Sequence, residues 1–312
     1  MRLFRRPRPS PLESSATAPS SDPPAQVASV LVAVDGQNSG WDTVAWAAAE
    51  ASTRQIGLRI LHVARWPIIV DPFGAAQVEP EVRDAAQRIL DEAVEQARQV
   101  APELPVSAHL AIGTPARAIA RAGENAALIV LGRHGRRHRF PRRSVTRQVA
   151  ARSHRPVAVA GFGEPAPPGP SAARVVVAVD CVHDTSAAMA LLGPAFSAAH
   201  RRGVGVTVLA DARCDIDTGA GPGSDASTLE DLLRLHAQAF HDLDVRHETS
   251  AGPLASVLQR ESQAAALLVL ATPRQPLRRP QFRPDVDYLL RTIRAPITFV
   301  PTRPQRRVVC GR

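Results

Sequence analysis

Val30-Leu31-Val32-Ala33-Val34-Asp35 is an apolar run closed by an acid, and Val175-Val176-Val177-Ala178-Val179-Asp180 repeats it 145 residues later. Apolar runs of this length, without polar alternation, read as strands buried on both faces, the kind found in parallel sheets. The same succession of signals follows each run. In the first half a helix begins near Ser39, a good N-cap, and runs to a stop at Gly57. In the second, a helix runs from about Asp184 to Arg202 and stops at Gly203. Second strands follow at 58–63 and 204–210. Gly113-Thr114-Pro115-Ala116 and Gly252-Pro253-Leu254-Ala255 each open a short helix that leads to a strand, at 127–131 and 265–271. Arg155-Pro156-Val157-Ala158-Val159 and Ala295-Pro296-Ile297-Thr298-Phe299 close the two series.

Gly252 lies 139 residues after Gly113, and Pro296 lies 140 after Pro156. Offsets this steady mark an internal duplication. Strands alternating with helices predict an α/β fold of two tandem units, each a five-stranded parallel sheet with helices on both faces. Ligands of such sheets bind at the carboxyl ends of the strands, where the strand order reverses. Asp35, Val63 and Gly132 all fall at expected strand ends and so on that rim.

Composition frames the two units. The chain has 312 residues, 45% apolar and 21% charged, as a soluble globular protein does. Aromatics are only 4%, so the core must come from Ala, Val, Leu and Ile. Residues 1–26 are rich in Pro, Ser and Arg and read as a disordered tail; residues 161–173 read as a linker and 303–312 as a basic tail. The expected domains are therefore 27–160 and 174–302. Cys181, Cys214 and Cys310 form no CxxC pair and no metal-ligand spacing, which predicts a reducing, cytoplasmic setting. No apolar run reaches the ~18 residues of a membrane span, and no apolar stretch follows the basic N-terminus as a secretory signal requires. The formal charge is +9 and every basic residue other than histidine is arginine. That is either coding bias or a phosphate-seeking surface, and the total alone does not distinguish them.

The chemistry is concentrated in 131–146, LGRHGRRHRFPRRSVT. A strand ends at Leu131, and Gly132 and Gly135 let the backbone turn tightly and approach a ligand. After a basic loop, Ser144-Val145-Thr146 opens a helix whose unpaired amides and dipole favour a phosphate. Arg136, Arg137, Arg142 and Arg143 are candidates for a side-chain phosphate clamp. The rival reading of the same arginines is a solvated loop or an acidic-partner contact. Nucleic acid is disfavoured, because Phe140 is the sole aromatic there to stack on a base. His134 and His138 have i,i+4 spacing, but Pro141 argues against a helix, so no metal site is expected. No catalytic residue is assigned either: Asp35 has no partnered nucleophile, and a chain without lysine has no Walker lysine.

Taken in order, Asp35, Gly113-Thr114-Pro115, the pair Gly132 and Gly135, Ser144-Val145-Thr146 and Pro156-Val157 resemble the universal stress protein family. That family carries Gly-x-x-Gly, nine residues, then Gly-Ser or Gly-Thr. Here seven residues, Arg136 to Arg142, intervene, and Arg143 stands in place of the later glycine. The resemblance implies two Rossmann-like units of the adenine nucleotide alpha-hydrolase-like kind. It implies ATP, with Mg as counter-ion, bound by the first half: Ala33, Val34, Asp35 and Val63 at the base, and Gly132, Arg133, His134, Gly135, Ser144, Val145 and Thr146 at ribose and phosphate. It also implies a stress-response regulator whose halves pair intramolecularly, as separate chains of the family do, with a homodimer as a further level. The second half reads Thr272-Pro273-Arg274-Gln275-Pro276 where the glycines belong. Proline has no amide to give and cannot take a positive φ, so a nucleotide site is expected in the first half only. The alternative is an interaction protein that binds no nucleotide and acts through its arginine-rich loop and paired surface. Trp41 and Trp46 are expected to pack or to form a dimer surface rather than to line a ligand, and 79–100 to form an amphipathic helix facing the core through Val82, Ala86, Leu90, Val94 and Ala97.

Overall fold

Both apolar runs are strands, and both lie at the centre of their halves. A computed structural model of the chain describes residues 28–37, 39–64, 69–70, 76–77, 80–133, 144–160, 173–179, 185–211, 229–250, 254–272 and 286–302. The first half comprises β1 (Ser29–Val34), α1 (Ser39–Thr53), β2 (Gly57–Ala64), the two-residue strands β3 (Ile69–Val70) and β4 (Ala76–Gln77), α2 (Pro80–Val100), β5 (Val106–Ile112), α3 (Pro115–Ala122), β6 (Ala126–Gly132), α4 (Val145–Arg152) and β7 (Val157–Ala160). The second comprises β8 (Arg174–Val179), α5 (Thr185–Arg202), β9 (Gly205–Asp211), α6 (Leu229–Ala239), β10 (Val245–Ser250), α7 (Leu254–Glu261), β11 (Ala265–Ala271), α8 (Val286–Thr292) and β12 (Ile297–Val300). Both tails through residue 26 and from residue 303, and nearly all of the expected linker, lie outside the described residues.

One ten-stranded sheet runs β10-β9-β8-β11-β12-β7-β6-β1-β2-β5. Within each half all five strands are parallel. Only the joint is antiparallel: β7 pairs with β12, Val157 opposite Phe299 and Val159 opposite Ile297. Both joint strands are buried along their whole length, as strands covered by helices on two faces must be.

The two faces of the sheet are built differently. On one, α3, α4, α7 and α8 cover a core that is continuous across the joint and includes Ile119, Val149, Leu258, Leu289, Ile293 and Phe299. On the other, α1 and α2 cover one core and α5 and α6 a second. Trp46 of α1 packs against both of these, and Trp41 against the first. Both tryptophans therefore pack, as expected. In α2 the buried face is Ala86, Leu90, Ala93 and Ala97, with Val94 packed beside it.

The end of α1 departs from expectation. The helix stops at Thr53, before Gly57, and the left-handed residue is Gln55, with φ 55°. Its amide bonds Ser52 O (2.9 Å), and the Ile56 amide bonds Ala51 O (3.1 Å), the double hydrogen bond of a Schellman turn. The same turn ends α5, but there Gly203 takes the positive φ. Gln55→Gly is expected to stabilise the fold by about 1 kcal/mol, because only the side chain disfavours the left-handed region. A rise in urea midpoint at unchanged slope is the check.

Candidate functional site

The first half places its rim at the carboxyl ends of β1, β2 and β6. β1 lies between the other two, so chain leaving β1 passes to one side of the sheet and chain leaving β6 to the other. The parallel register sets Val34 beside His62 and Ala33 beside Leu131, which brings the ends holding Ala33, Val34, Asp35, Val63 and Gly132 together. Asp35 is exposed just beyond β1, and its Oδ1 accepts the Gln37 amide (3.1 Å). Gly36, at φ 77°, turns the chain, and a Cβ there would sit 2.6 Å from Ile89 Cδ1. Glycine is required at this step both by φ and by space.

Beneath the end of β6 lies Thr43 of α1, fully buried, its hydroxyl donating to Ala160 O (3.4 Å). A Cβ on Gly132 would stand 3.1 Å from Thr43 Oγ1. The strand end thus rests on a hydroxyl without side-chain bulk between them. The Arg133 amide donates to Ala160 O (3.2 Å), and its guanidinium donates to Leu289 O of α8 in the second half (3.4 Å). Burial pushes this guanidinium down to about 10.

α4 begins as the sequence predicts. Ser144 is its N-cap, with Oγ accepting the Arg147 amide (3.5 Å), and the first turn holds no acid. Val145 is half-buried, and Thr146 is only 3% exposed, on the inner side of the helix. His134, Gly135, Arg136, Arg137, Arg142 and Arg143 lie outside the described residues. Among the described residues there is no cluster of three or more His, Cys, Asp or Glu that would hold a metal, and no helix is long and apolar enough to cross a membrane. The N-terminus of α4 offers backbone amides and the Ser144 hydroxyl, which is anion-binding chemistry, and it follows the glycine strand end in the chain.

Two residues of this rim were not singled out from sequence. His62 Nδ1 donates to Val34 O (2.9 Å), bridging the ends of β1 and β2. The signal for Thr43 was present: it precedes Ala47 and Ala51 at helical spacing on the buried face of α1.

Among the described residues of the second half, the counterparts of His62, Gly132 and Thr43 are all replaced. Val179 pairs with Ala210 where Val34 pairs with His62. Ala271 pairs with Val300 where Gly132 pairs with Ala160. Gly203 minus Gln55 is 148, and the same offset carries Thr43 to Leu191, which is fully buried.

Comparison with known proteins agrees with this architecture. The model described as Universal stress protein family matches residues 27–161. A universal stress protein of Mycobacterium tuberculosis is 28% identical over 263 residues, covering 78% of this chain and 86% of the relative. Residues 27–161 carry a universal stress protein domain. A second universal stress protein from M. tuberculosis is 31% identical over 199 residues, 58% of this chain and 61% of its own length. The crystal structure of a universal stress protein from Archaeoglobus fulgidus superposes with TM-score 0.62 at 16% identity, covering 88% of this chain and 96% of that one. That last likeness concerns the fold alone. The chain's two parallel blocks share one sheet through β7 and β12.

Proposed function

We propose that this chain is a cytoplasmic universal stress protein, a stress-response regulator that binds an adenine nucleotide, ATP with Mg as its counter-ion, through its first domain, 27–160. The observation that carries the reading is the floor of the rim: Gly132 bare over Thr43, beside the parting of β1 and β6 and ahead of the capped N-terminus of α4. Ala33, Val34, Asp35 and Val63 would border the base, and Gly132, Ser144 and the first amides of α4 the ribose and phosphates. Arg136, Arg137, Arg142 and Arg143 supply charge to a loop shorter than the family pattern. The second domain, 174–302, replaces each polar group of the floor and serves as the paired partner; the β7–β12 joint supports that role. Nucleotide is a ligand that reports state, not a fuel; among the described residues of the rim no nucleophile and base are paired.

Isothermal titration of the full chain with Mg-ATP is the test. Micromolar binding is expected, weakened about fivefold in Ser144→Ala, a loss of about 1 kcal/mol from one hydroxyl. No heat from folded wild-type protein would sink the nucleotide reading and favour the interaction protein acting through the arginine loop.

A further inference from the structure

The root of the candidate loop is tied to the other half of the chain. Arg133 follows Gly132 directly, and its two ends serve different halves. The amide holds the end of β6 to Ala160 of β7, while the guanidinium crosses to Leu289 O of α8. Leu289 is fully buried in the core that runs continuously across the joint. Its carbonyl also accepts the Ile293 amide at 2.9 Å, and a carbonyl oxygen has lone pairs for both donors. Leu289 belongs to the last turn of α8, where unpaired carbonyls gather the negative end of the helix dipole and a cation is favourable. Burial, which lowers the guanidinium's pKa, disfavours its charge at this place, and a bond to a carbonyl at a helix C-terminus offsets part of that cost.

The second half does not return the contact. Thr272 occupies the position of Arg133, with the same backbone bond, Thr272 amide to Val300 O at 2.8 Å, but it is a short buried side chain. Among the described residues, the arm runs from the site-bearing half toward the other one.

We propose that Arg133 is a positioning residue that couples the end of β6 to α8 of the second half, so that a ligand held at that strand end is registered by the partner domain. The contact itself stands without the nucleotide reading; only its response to ATP rests on that reading. Hydrogen exchange on the full chain tests both. Arg133→Met keeps the apolar stem and removes the donors, and Arg133→Lys keeps a cation. Exchange of α8 amides, 286–293, is expected to quicken at least threefold in Arg133→Met, with α2 unchanged, and to recover partly in Arg133→Lys. Wild-type exchange at α8 in Arg133→Met overturns the proposal. If the Met variant does not fold, Arg133→Lys decides: it must fold and show α8 exchange between wild type and the unfolded chain, and exchange equal to wild type overturns the tether. In wild type, Mg-ATP is expected to slow α8 exchange, and in Arg133→Met to leave it unchanged. ATP that binds by titration without altering α8 overturns the coupling while the nucleotide site stands. If titration shows no binding, the nucleotide reading fails, and the ligand-free comparison alone decides the tether.

Discussion

Glu50→Ala is expected to destabilise the fold by about 3–5 kcal/mol, the usual consequence of removing one member of a buried ion pair. Glu50 lies on α1 where that helix meets α5, and its side chain is 3% exposed. Oε1 accepts from Arg54 Nε at 2.6 Å, and Oε2 accepts from Arg202 Nη2 of the other half. Arg201 stands close by, its Nε buried without a hydrogen-bond partner. Burial by itself would raise the Glu50 pKa; Arg202, then Arg54 and Arg201, outweigh it and hold the carboxyl below its ordinary 4.5. Without the acid, three guanidinium groups face one another between the helices. Urea denaturation at pH 7 measures the loss, and Glu50→Ala combined with Arg202→Ala should recover part of it, since the cycle isolates the pair. The pH dependence has a defined sign. A carboxyl whose folded pKa is depressed stabilises above its unfolded value and loses that contribution as pH falls through the folded one. The gap between wild type and Glu50→Gln should therefore be full near neutrality and close as pH drops below 4.5. A loss under about 1 kcal/mol at pH 7 would mean that the pair is screened like a surface bridge.

Gly132→Val is expected to weaken ATP at least 30-fold, about 2 kcal/mol, while the far-ultraviolet circular dichroism of the fold is kept. The Cβ alone would stand 3.1 Å from Thr43 Oγ1, and Thr43 is fully buried under the strand end. Valine adds two further methyl groups, so either β6 lifts or the rim fills, and both displace the amides that a phosphate needs. Gly132→Ala should show a smaller loss. Pairing it with Thr43→Ala, which removes the hydroxyl that crowds the new Cβ, should restore part of the affinity. Gly132→Val binding ATP as wild type does would move the site away from the end of β6.

Much of the fold was legible because its signals are local. The runs at 30–34 and 175–179 lie inside β1 and β8, Pro115 sits in the first turn of α3, and Ser144 caps α4. Each depends on the residues within about one helical turn or on one strand's own apolarity. The turn after α1 was not legible, because glycine was the expected stop. Ile56, which follows Gln55, packs into the core under α1 as Val204 does after Gly203. Docking that side chain draws the preceding residue through positive φ even where it is not glycine. β10, Val-Arg-His-Glu-Thr-Ser, is largely exposed and is a strand because β9 offers it a ladder.

Sequence by itself thus determined the duplication, the alternating strands and helices, the family pattern and the half in which that pattern survives. Tertiary structure alone decided that β7 and β12 close two blocks into one sheet, that Thr43 underlies Gly132, that Glu50 faces Arg202, and that Arg133 ends on Leu289. These partners are 89 to 156 residues apart: 132 − 43 is 89 and 289 − 133 is 156. No periodicity or propensity reaches across such distances. The contacts come into being only when strand register and helix packing have set the backbone, and side chains that look like ordinary surface arginine or helix threonine then find themselves buried against a partner.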